Sequence, residues 1–384
     1  MIIENLHLES IGNKVRITAS LDGFPLWYQV PESYKISRNG EAFLAAAILP
    51  AMLNGENIDI DPEMPVSGKF RDNLRRLQEI YHCWNNDLKI VDINTSSTSA
   101  ETLNIGVASF FSGGVDSSYT LLRHLDEISH VVYISGFDFP FGDSGFLKII
   151  DRNSSLIEKY NKSFINVETN FYQFGYKYNL SRNLTQGSCL GSITLLLGFN
   201  RFYIPSSYSY GQLFPLGSHP LTDPLWSNGS FEIVHDGCEA TRTEKLQMIL
   251  GEDEIMSKLS VCLHNNEENC GRCQKCVRTM VSLSLLDGSM SAFPAFPTLK
   301  EVRRREIDGQ VEATFLKENI ELAEAVGNLE LKKALMHSLK RYERIRLYKH
   351  IDRVLAGGKI LGFYRKKFKN DKSVDRIDLK AEQF

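Results

Sequence analysis

Two groups of residues in this 384-residue sequence have types and spacing that suit chemistry. The first is a Gly-Gly turn, residues 112–118, between an apolar run, residues 105–111, and an amphipathic segment, residues 119–125. The run is typical of a buried parallel strand, and the segment is typical of a helix. Backbone N–H groups at such a strand-to-helix turn converge on one concavity, and the helix dipole adds positive potential. The turn is therefore predicted to bind phosphate.

Glycines in this turn allow positive φ angles, and we expect them to let phosphate oxygens approach the backbone closely. No Gly-Lys-Ser/Thr follows, so the turn is not a Walker A loop. Asp116 is its only carboxylate, and two roles stay open for it: holding Mg²⁺ or capping the helix. The residues predicted to contact the phosphates are Ser112, Gly113, Gly114, Val115, Asp116, Ser117 and Ser118.

Cysteines form the second group. The chain has seven, and four of them have the spacing Cys-x7-Cys-x2-Cys-x2-Cys: Cys262, Cys270, Cys273 and Cys276. We expect neither a signal peptide nor a membrane span, hence a cytoplasmic protein whose clustered thiols bind metal instead of forming disulfides. Four thiolates favour tetrahedral zinc and leave no position for water, which predicts a structural Zn²⁺. A redox Cys-x-x-Cys pair is the alternative.

Together the two groups resemble one family. The turn is similar to the SGGxDS loop of the N-type ATP pyrophosphatases (the PP-loop superfamily). The turn and the cysteine cluster together, over about residues 104–286, look like the 7-cyano-7-deazaguanine synthase (QueC) group. Arg182-Asn183 resembles the Arg-Asn pair that opens a helix in that family. Residues 235–245 differ from the family's Tyr-Pro-Asp-Cys-Arg stretch, so the substrate is not identified.

The resemblance implies a fold and a reaction. The fold is α/β, with a parallel-sheet core like the adenine nucleotide alpha hydrolases (HUP, Rossmann-like). The enzyme would use ATP and Mg²⁺ to adenylate a substrate carboxylate and release pyrophosphate. Ammonia or an amine would then displace AMP, which makes the protein an AMP-forming C–N ligase.

Candidate residues for this reaction follow predicted strand ends. Asp116, Ser112, Arg182, Arg242 and Lys245 are the candidate catalytic residues, since cations are needed beside two anions. The resemblance places adenine against the end of the second core strand. The residues expected there are Ser135, Gly136 and Phe137.

Two rival functions remain open. A PP-loop sulfur transferase acting on tRNA or a small molecule would use a reactive cysteine, and Cys238 is the candidate, expected to be exposed near ATP. A non-catalytic nucleotide-binding module of an assembly is the second. The hydroxyl-rich residues 206–211 and the Pro-punctuated loop with His219 and Asp223 are either substrate-binding or ordinary loops.

The alternation of strand and helix patterns predicts a parallel sheet covered by helices, which would position these residues. Core strands are expected at 104–111, 130–137, 163–169, 201–206 and 231–236, with helices near 116–126, 145–160, 182–199 and 241–250. Before them we expect a hairpin turning at Asp22-Gly23, a helix from Glu41 to Leu53 interrupted by Pro50, and a second helix capped by Ser67. Cys189 is expected in the core.

Three segments follow from these patterns: an N-terminal α+β domain (1–97), the PP-loop domain with the zinc site (98–290) and a basic helical extension (291–384). The N-terminal domain is expected to be either a packing or dimerisation module or a surface that binds substrate. A homodimer is compatible with the first of these roles. The segment from residue 331 onward contains 16 Lys/Arg and 6 Asp/Glu, although the formal net charge of the whole chain is only −3. This tail is either a helix packed on the acidic remainder or a site for a phosphate-rich partner such as nucleic acid.

Overall fold

A single ten-stranded sheet, mostly parallel, organises the computed structural model, which describes residues 1–356 apart from positions 139, 143, 144, 263, 265, 266, 306 and 308. The chain is therefore α/β, as predicted, and is consistent with a Rossmann-like core. The strands are β1 (Ile2–Ile11), β2 (Lys14–Leu21), β3 (Phe24–Pro31), β4 (Ile58–Ile60), β5 (Val66–Ser67), β6 (Ile93–Asn94), β7 (Ser97–Thr98), β8 (Asn104–Phe110), β9 (His130–Ser135), β10 (Ser163–Thr169), β11 (Phe199–Pro205) and β12 (Glu232–Asp236). Of these, β5 and β7 pair with each other outside the ten-stranded sheet.

Helices cover the sheet and extend beyond it at the C-terminal end. They are α1 (Glu41–Asn54), α2 (Gly68–Trp84), α3 (Val115–Arg123), α4 (Gly145–Lys159), α5 (Phe171–Lys177), α6 (Arg182–Leu197), α7 (Arg242–Ile249), α8 (Asp253–Lys258), α9 (Gln274–Leu285), α10 (Leu299–Arg304), α11 (Gln310–Ala325) and α12 (Leu329–Ala356). None of the helices described here combines the length and the hydrophobicity needed to cross a bilayer.

The parallel part of the sheet has the spatial order β12-β11-β8-β9-β10. The predicted core strands and the helices between them are confirmed with small differences at their ends. β8 has a neighbouring strand on each side, and its carboxyl end leads into α3. Residues 112–118 therefore lie near the middle of the sheet edge formed by the carboxyl ends of the parallel strands, where ligands bind in such sheets.

The N-terminal strands continue this same sheet. β3 pairs antiparallel with β10, opposing Gln29 to Glu168, and β2, β1, β4 and β6 follow it outward. The expected hairpin is confirmed, because Asp22 and Gly23 connect β2 and β3 with φ angles of 47° and 74°. Positive φ at both positions is the twist that a two-residue hairpin requires. The division into three domains stays a prediction.

Helix α1 corrects one expectation. Pro50 does not interrupt it: the helix runs from Glu41 to Asn54 through the proline. Its residues from Glu41 to Met52 are all buried, and it packs against α6. Burial on every side offsets the backbone hydrogen bond that the proline removes, a loss of about 3 kcal/mol in an exposed helix.

Two other local predictions are confirmed. The Ser67 side chain caps α2 by accepting a hydrogen bond from the Phe70 N–H at 3.2 Å. Cys189 is fully buried in the core.

The C-terminal helices form a layer on α9. Val277 and Met280 of α9 share an apolar cluster with Leu316 of α11 and Leu335 of α12. The helix predicted in the basic tail is confirmed as α12, whose later apolar residues Ile345 and Leu347 are exposed. The glycines at 357–358 and the basic residues 365–367 lie outside the described residues, so a nucleic-acid partner remains a prediction.

Candidate functional site

The turn predicted to bind phosphate, residues 112–118 and called the phosphate loop below, leads into α3 with unused hydrogen-bond donors. Gly114 is the N-cap, in extended conformation and with no side-chain cap. The Ser112 N–H donates to Oγ of Ser117 at 3.3 Å. The N–H groups of residues 113–117 have no acceptor among the described residues. Such orphan donors at a helix start, together with the dipole, favour an anion.

Packing and backbone conformation explain one of the two glycines of the loop, Gly113. Gly113 has a φ of 77°, and a Cβ there would lie 2.9 Å from Oδ1 of Asn153. A Cβ on Gly114 would lie 3.3 Å from Oγ of Ser112 and 3.4 Å from the Ser260 carbonyl oxygen, contacts that do not by themselves require glycine. The Ser260 N–H also donates to the Gly113 carbonyl at 2.8 Å, which fixes the turn. The glycines were expected to let phosphate approach closely. At Gly113 the space that a side chain would occupy is instead taken by Asn153, while Ser112 is exposed.

Unpartnered polar groups surround the loop. The Asn153 side chain on α4 is fully buried, and neither its oxygen nor its nitrogen has a partner in the described part of the chain. The same holds for Oγ of Ser118 and for Oδ1 of Asp116. A buried polar group without a partner costs about 1–3 kcal/mol, so a polar ligand or water completing these bonds would be stabilising.

Asp116 is the centre of a basic cluster. Its Oδ2 accepts from Nη1 of Arg242 at 2.8 Å, so it pairs with an arginine and is not the helix cap. Burial raises the pKa of the Asp116 carboxyl, but the charges of Arg242, Lys245 and Arg278 outweigh it and lower the pKa overall. The carboxylate is therefore ionised at neutral pH.

Positive charge exceeds negative charge in this cluster. Lys245 is buried, and its Nζ donates to the Ser206 carbonyl at 2.6 Å. Lys275, at the start of α9, lies within electrostatic range of Asp116 and of Asp138 after β9. Its ammonium has no ion-pair partner among the residues described. Four cations (Arg242, Lys245, Lys275 and Arg278) thus lie within electrostatic range of Asp116, and so many basic side chains around one carboxylate suit an anion, although Glu312 also pairs with Arg278.

Helix α11 forms a wall of the cluster that the sequence did not predict. The Phe315 ring lies under Arg278, with 3.9 Å from the guanidinium carbon to the ring centroid, and it stacks on Tyr208 at 5.3 Å. Glu312 of the same helix lies 3.6 Å from Arg278 and also pairs with Arg305. The C-terminal extension therefore holds one of the four cations in place.

At the end of β9, the expected adenine region has its own contacts. Oγ of Ser135 donates to Asn166 at 2.8 Å. A Cβ on Gly136 would lie 1.8 Å from the Thr169 carbonyl oxygen. The missing side chain therefore makes room for the end of β10, whereas the expectation was that it makes room for a ligand. Phe137 is buried, and together with Arg182 it lines a small pocket. A purine-sized group would have to enter beside these residues.

Arg182 lies apart from the contacts around Asp116. Its Nη1 donates to the carbonyl of Asp138 at 2.8 Å, and its side chain is exposed. The structure thus brings Asp116, Arg242 and Lys245 together and places Arg182 beside the end of β9.

The four predicted zinc ligands converge. The sulfur atoms of Cys262, Cys270, Cys273 and Cys276 all lie within 4.8 Å of one another. The Cys262–Cys273 pair is 3.9 Å apart and the Cys270–Cys276 pair 4.0 Å. Tetrahedral zinc with bonds of about 2.3 Å needs sulfur separations of about 3.8 Å, so the residues fit the ion.

Backbone groups support the metal assignment. The N–H groups of Arg272 and Cys273 point at Sγ of Cys270, at 3.5 and 3.2 Å. The Cys276 N–H points at Sγ of Cys273 at 3.4 Å. Donors aimed at sulfur stabilise thiolates and orient metal ligands. Since α9 begins directly after Cys273, the cluster also positions Lys275 and Arg278.

Cys238 departs from its prediction. It is buried, not exposed, with its sulfur 3.2 Å from Oγ of Ser206. His235, whose Nδ1 donates to Asp223 at 2.6 Å, helps to lower the pKa of the Cys238 thiol against the effect of burial. His219 is buried as well, with its ring against Trp84. The strand-end loops at 206–209 and 237–240 pack on each other, which covers this thiol.

No family model, curated protein or solved structure matches the chain.

Proposed function

We propose that the protein is an ATP-dependent adenylating enzyme of the PP-loop group, QueC-like, that forms a C–N bond at a substrate carboxylate. Its core would then be of the adenine nucleotide alpha hydrolase type. One observation carries the proposal: the unsatisfied N–H groups of residues 113–117 begin a helix whose first turn faces four basic side chains. Amide donors and cations together suit a polyphosphate.

Each part of the cluster has a task in this reaction. The loop amides, Arg242 and Lys245 would hold the phosphates and stabilise the negative charge that develops on the leaving pyrophosphate. Lys275 lies within electrostatic range of both Asp116 and Asp138, so it would contact the region between the phosphates and the end of β9. The protein's contribution is positioning and charge neutralisation, because adenylation needs no covalent enzyme group.

Asp116 fits a role beside a metal. Its Oδ1 is unpartnered, while Oδ2 is held by Arg242 and, at 3.3 Å, by Ser207. A carboxylate oxygen is a ligand that Mg²⁺ accepts, and the ion would supply further neutralisation of phosphate charge.

Direct binding tests the proposal. We expect MgATP to bind the zinc-loaded protein, measured by calorimetry, and labelled pyrophosphate to exchange into ATP when a suitable carboxylate is present. Arg242→Met should weaken MgATP binding by at least about tenfold, the loss expected for one charge-assisted contact. Arg201→Met is the control, because Arg201 pairs with Glu232 at the amino ends of β11 and β12, the edge of the sheet opposite the loop. Wild-type protein that does not bind MgATP would refute the assignment.

A sulfur transferase is the second candidate, favoured by the position of Cys238, whose sulfur lies 3.2 Å from Oγ of Ser206, the residue before the Ser207 that contacts Asp116. Incorporation of sulfide in place of ammonia would establish it.

A further inference from the structure

The two halves of α12 carry their apolar residues on opposite sides. In the first half, Leu331 and Leu335 are buried in the apolar cluster of the C-terminal helices. In the second half, Ile351 and Leu355 are exposed. Each of them comes 20 positions after its buried counterpart, a rotation of about 200° around a helix that turns about 100° per residue. The second part of the apolar stripe therefore points away from the protein.

This outward side is apolar towards the end of the helix. Leu347, Ile351 and Val354 follow one another at helical spacing, and Tyr348 and Leu355 flank them. Their exposed fractions range from 41% for Ile351 to 80% for Leu355. Single exposed apolar side chains are ordinary, but several on one side of one helix mark an interaction surface.

Basic residues continue the same stripe towards the start of the helix. Lys333, Lys340 and Arg344 precede Leu347 at successive intervals of seven, four and three residues, which keep them on its side of α12. All three basic side chains are exposed. One side of the helix is thus basic in its first part and apolar in its second.

Arginines on the other sides of α12 have a different use. Arg341 donates to the carbonyl of Arg304 at 2.7 Å, and Arg346 donates to Oε1 of Gln310 at 3.1 Å. These bonds hold α12 on the end of α10 and on the start of α11. The outward cations take no part in them, so they are available to a partner.

Charge is distributed unevenly along the chain in a way that fits a negatively charged partner. The segment from residue 331 onward has a formal charge of +10, and the residues before it have −13. An anionic surface would attract the C-terminal segment and repel the rest, which would turn α12 towards that surface.

We propose that α12 binds the surface of an anionic lipid bilayer. Leu347, Ile351 and Leu355 would enter the boundary between headgroups and acyl chains, and Lys340 and Arg344 would contact the headgroup phosphates. A helix with an apolar side and nearby cations lies in this interface, where buried apolar area and electrostatic attraction act together. The proposal is independent of the adenylation reaction.

Other occupants fit the stripe less well. A nucleic acid would use the cations but leave the aliphatic side chains in water. A second copy would meet these five apolar residues, whereas a stable interface uses about 20–30 residues a side. A lipid surface uses both parts of the stripe.

Vesicle co-sedimentation of the full-length, zinc-loaded protein tests the proposal. We expect it to bind phosphatidylcholine vesicles with about one-third phosphatidylserine at least about tenfold more tightly than pure phosphatidylcholine. Ile351→Glu should weaken this binding at least about tenfold, because a charge replaces an apolar side chain that enters the bilayer. Ile90→Glu, at an exposed isoleucine between α2 and β6, is the matched control and should bind like wild type.

The cations are tested in the same assay. The double variant Lys340→Gln, Arg344→Gln should lose at least about tenfold in affinity, since each cation near such a surface contributes about fivefold. Its binding should also depend less on salt concentration. Circular dichroism checks that each variant keeps its helix content.

Four results would overturn the proposal. Wild-type protein that stays in the supernatant with the anionic vesicles is one. Equal binding by wild type and Ile351→Glu is another, because it would indicate attraction by charge alone. In sedimentation equilibrium without lipid, a wild-type dimer that Ile351→Glu converts to a monomer would identify a second copy as the occupant. Tight tRNA binding that the double variant loses and Ile351→Glu keeps would assign the stripe to nucleic acid.

Discussion

Phe315 offers the sharpest test of how the basic cluster is held. Its buried ring lies 3.9 Å from the guanidinium carbon of Arg278 and 5.7 Å from that of Arg242. One aromatic side chain of α11 therefore orients two of the four cations around Asp116. Phe315→Leu keeps an apolar side chain at this position and removes the ring face.

The expected loss follows from those contacts. A desolvated cation–π contact is worth about 2 kcal/mol, and the longer one to Arg242 is worth less. We expect the free energy of unfolding to fall by about 2 kcal/mol in Phe315→Leu. Loss of orientation of Arg278 and Arg242 should weaken MgATP binding about tenfold, which corresponds to about 1.4 kcal/mol.

Leu316→Ala is the matched control. Leu316 is the next residue of α11, is also buried, and packs in the apolar cluster of the C-terminal helices. Its truncation should cost about 2–5 kcal/mol of stability but leave nucleotide affinity within about twofold. Urea unfolding followed by circular dichroism gives the stabilities, and calorimetry gives the affinities. Wild-type affinity in Phe315→Leu would show that α11 serves packing alone.

Three further changes probe the loop and the metal cluster. Asp116→Asn leaves Arg242 without its anion, so denaturant unfolding should show a loss of about 3 kcal/mol. Because the pKa of Asp116 is lowered in the fold, this difference from wild type should persist above about pH 4 and close only as the pH falls through the folded pKa. Gly113→Ala forces a Cβ against Asn153 at a φ of 77°, and we expect at least about 1–2 kcal/mol of lost stability and weaker pyrophosphate binding by calorimetry. Cys276→Ser should lower both the zinc content, measured by atomic absorption, and the melting temperature; an unchanged zinc content would contradict the four-cysteine site.

Local patterns were sufficient for the core elements. Residues 105–111 form a largely apolar run followed by Ser112-Gly113, and residues 163–169 carry Phe164, Ile165 and Val167 and are followed by Asn170, so the type and ends of both strands could be predicted directly. Pro50 was misjudged, because a local rule ignores the burial that stabilises α1. Pairing of β3 with β10 could not be foreseen, since it joins residues about 140 positions apart and leaves no periodic signal.

The candidate site, like the fold, was predicted from the sequence only in part. The phosphate loop and the cysteine cluster are contiguous motifs, and their spacing alone indicated them. Lys275 and Phe315 could not be assigned to the site from the sequence, because their roles depend on helices that meet in space. Cys238 was expected at the surface, since a position after a strand does not reveal that the loop at Ser206 covers it.

The four-cysteine cluster and the C-terminal helices both contact the segment that carries Arg278, from opposite sides. The cluster fixes the start of α9, and Glu312 and Phe315 of α11 fix Arg278 one turn later. Arg305 connects the two, since it donates to the carbonyl of Gln274 at 2.5 Å and pairs with Glu312. Loss of zinc should therefore disturb cations that contact no metal ligand. The extension beyond residue 290, which the PP-loop resemblance does not explain, is thus a structural part of the candidate site, and differences in substrate would be sought there first.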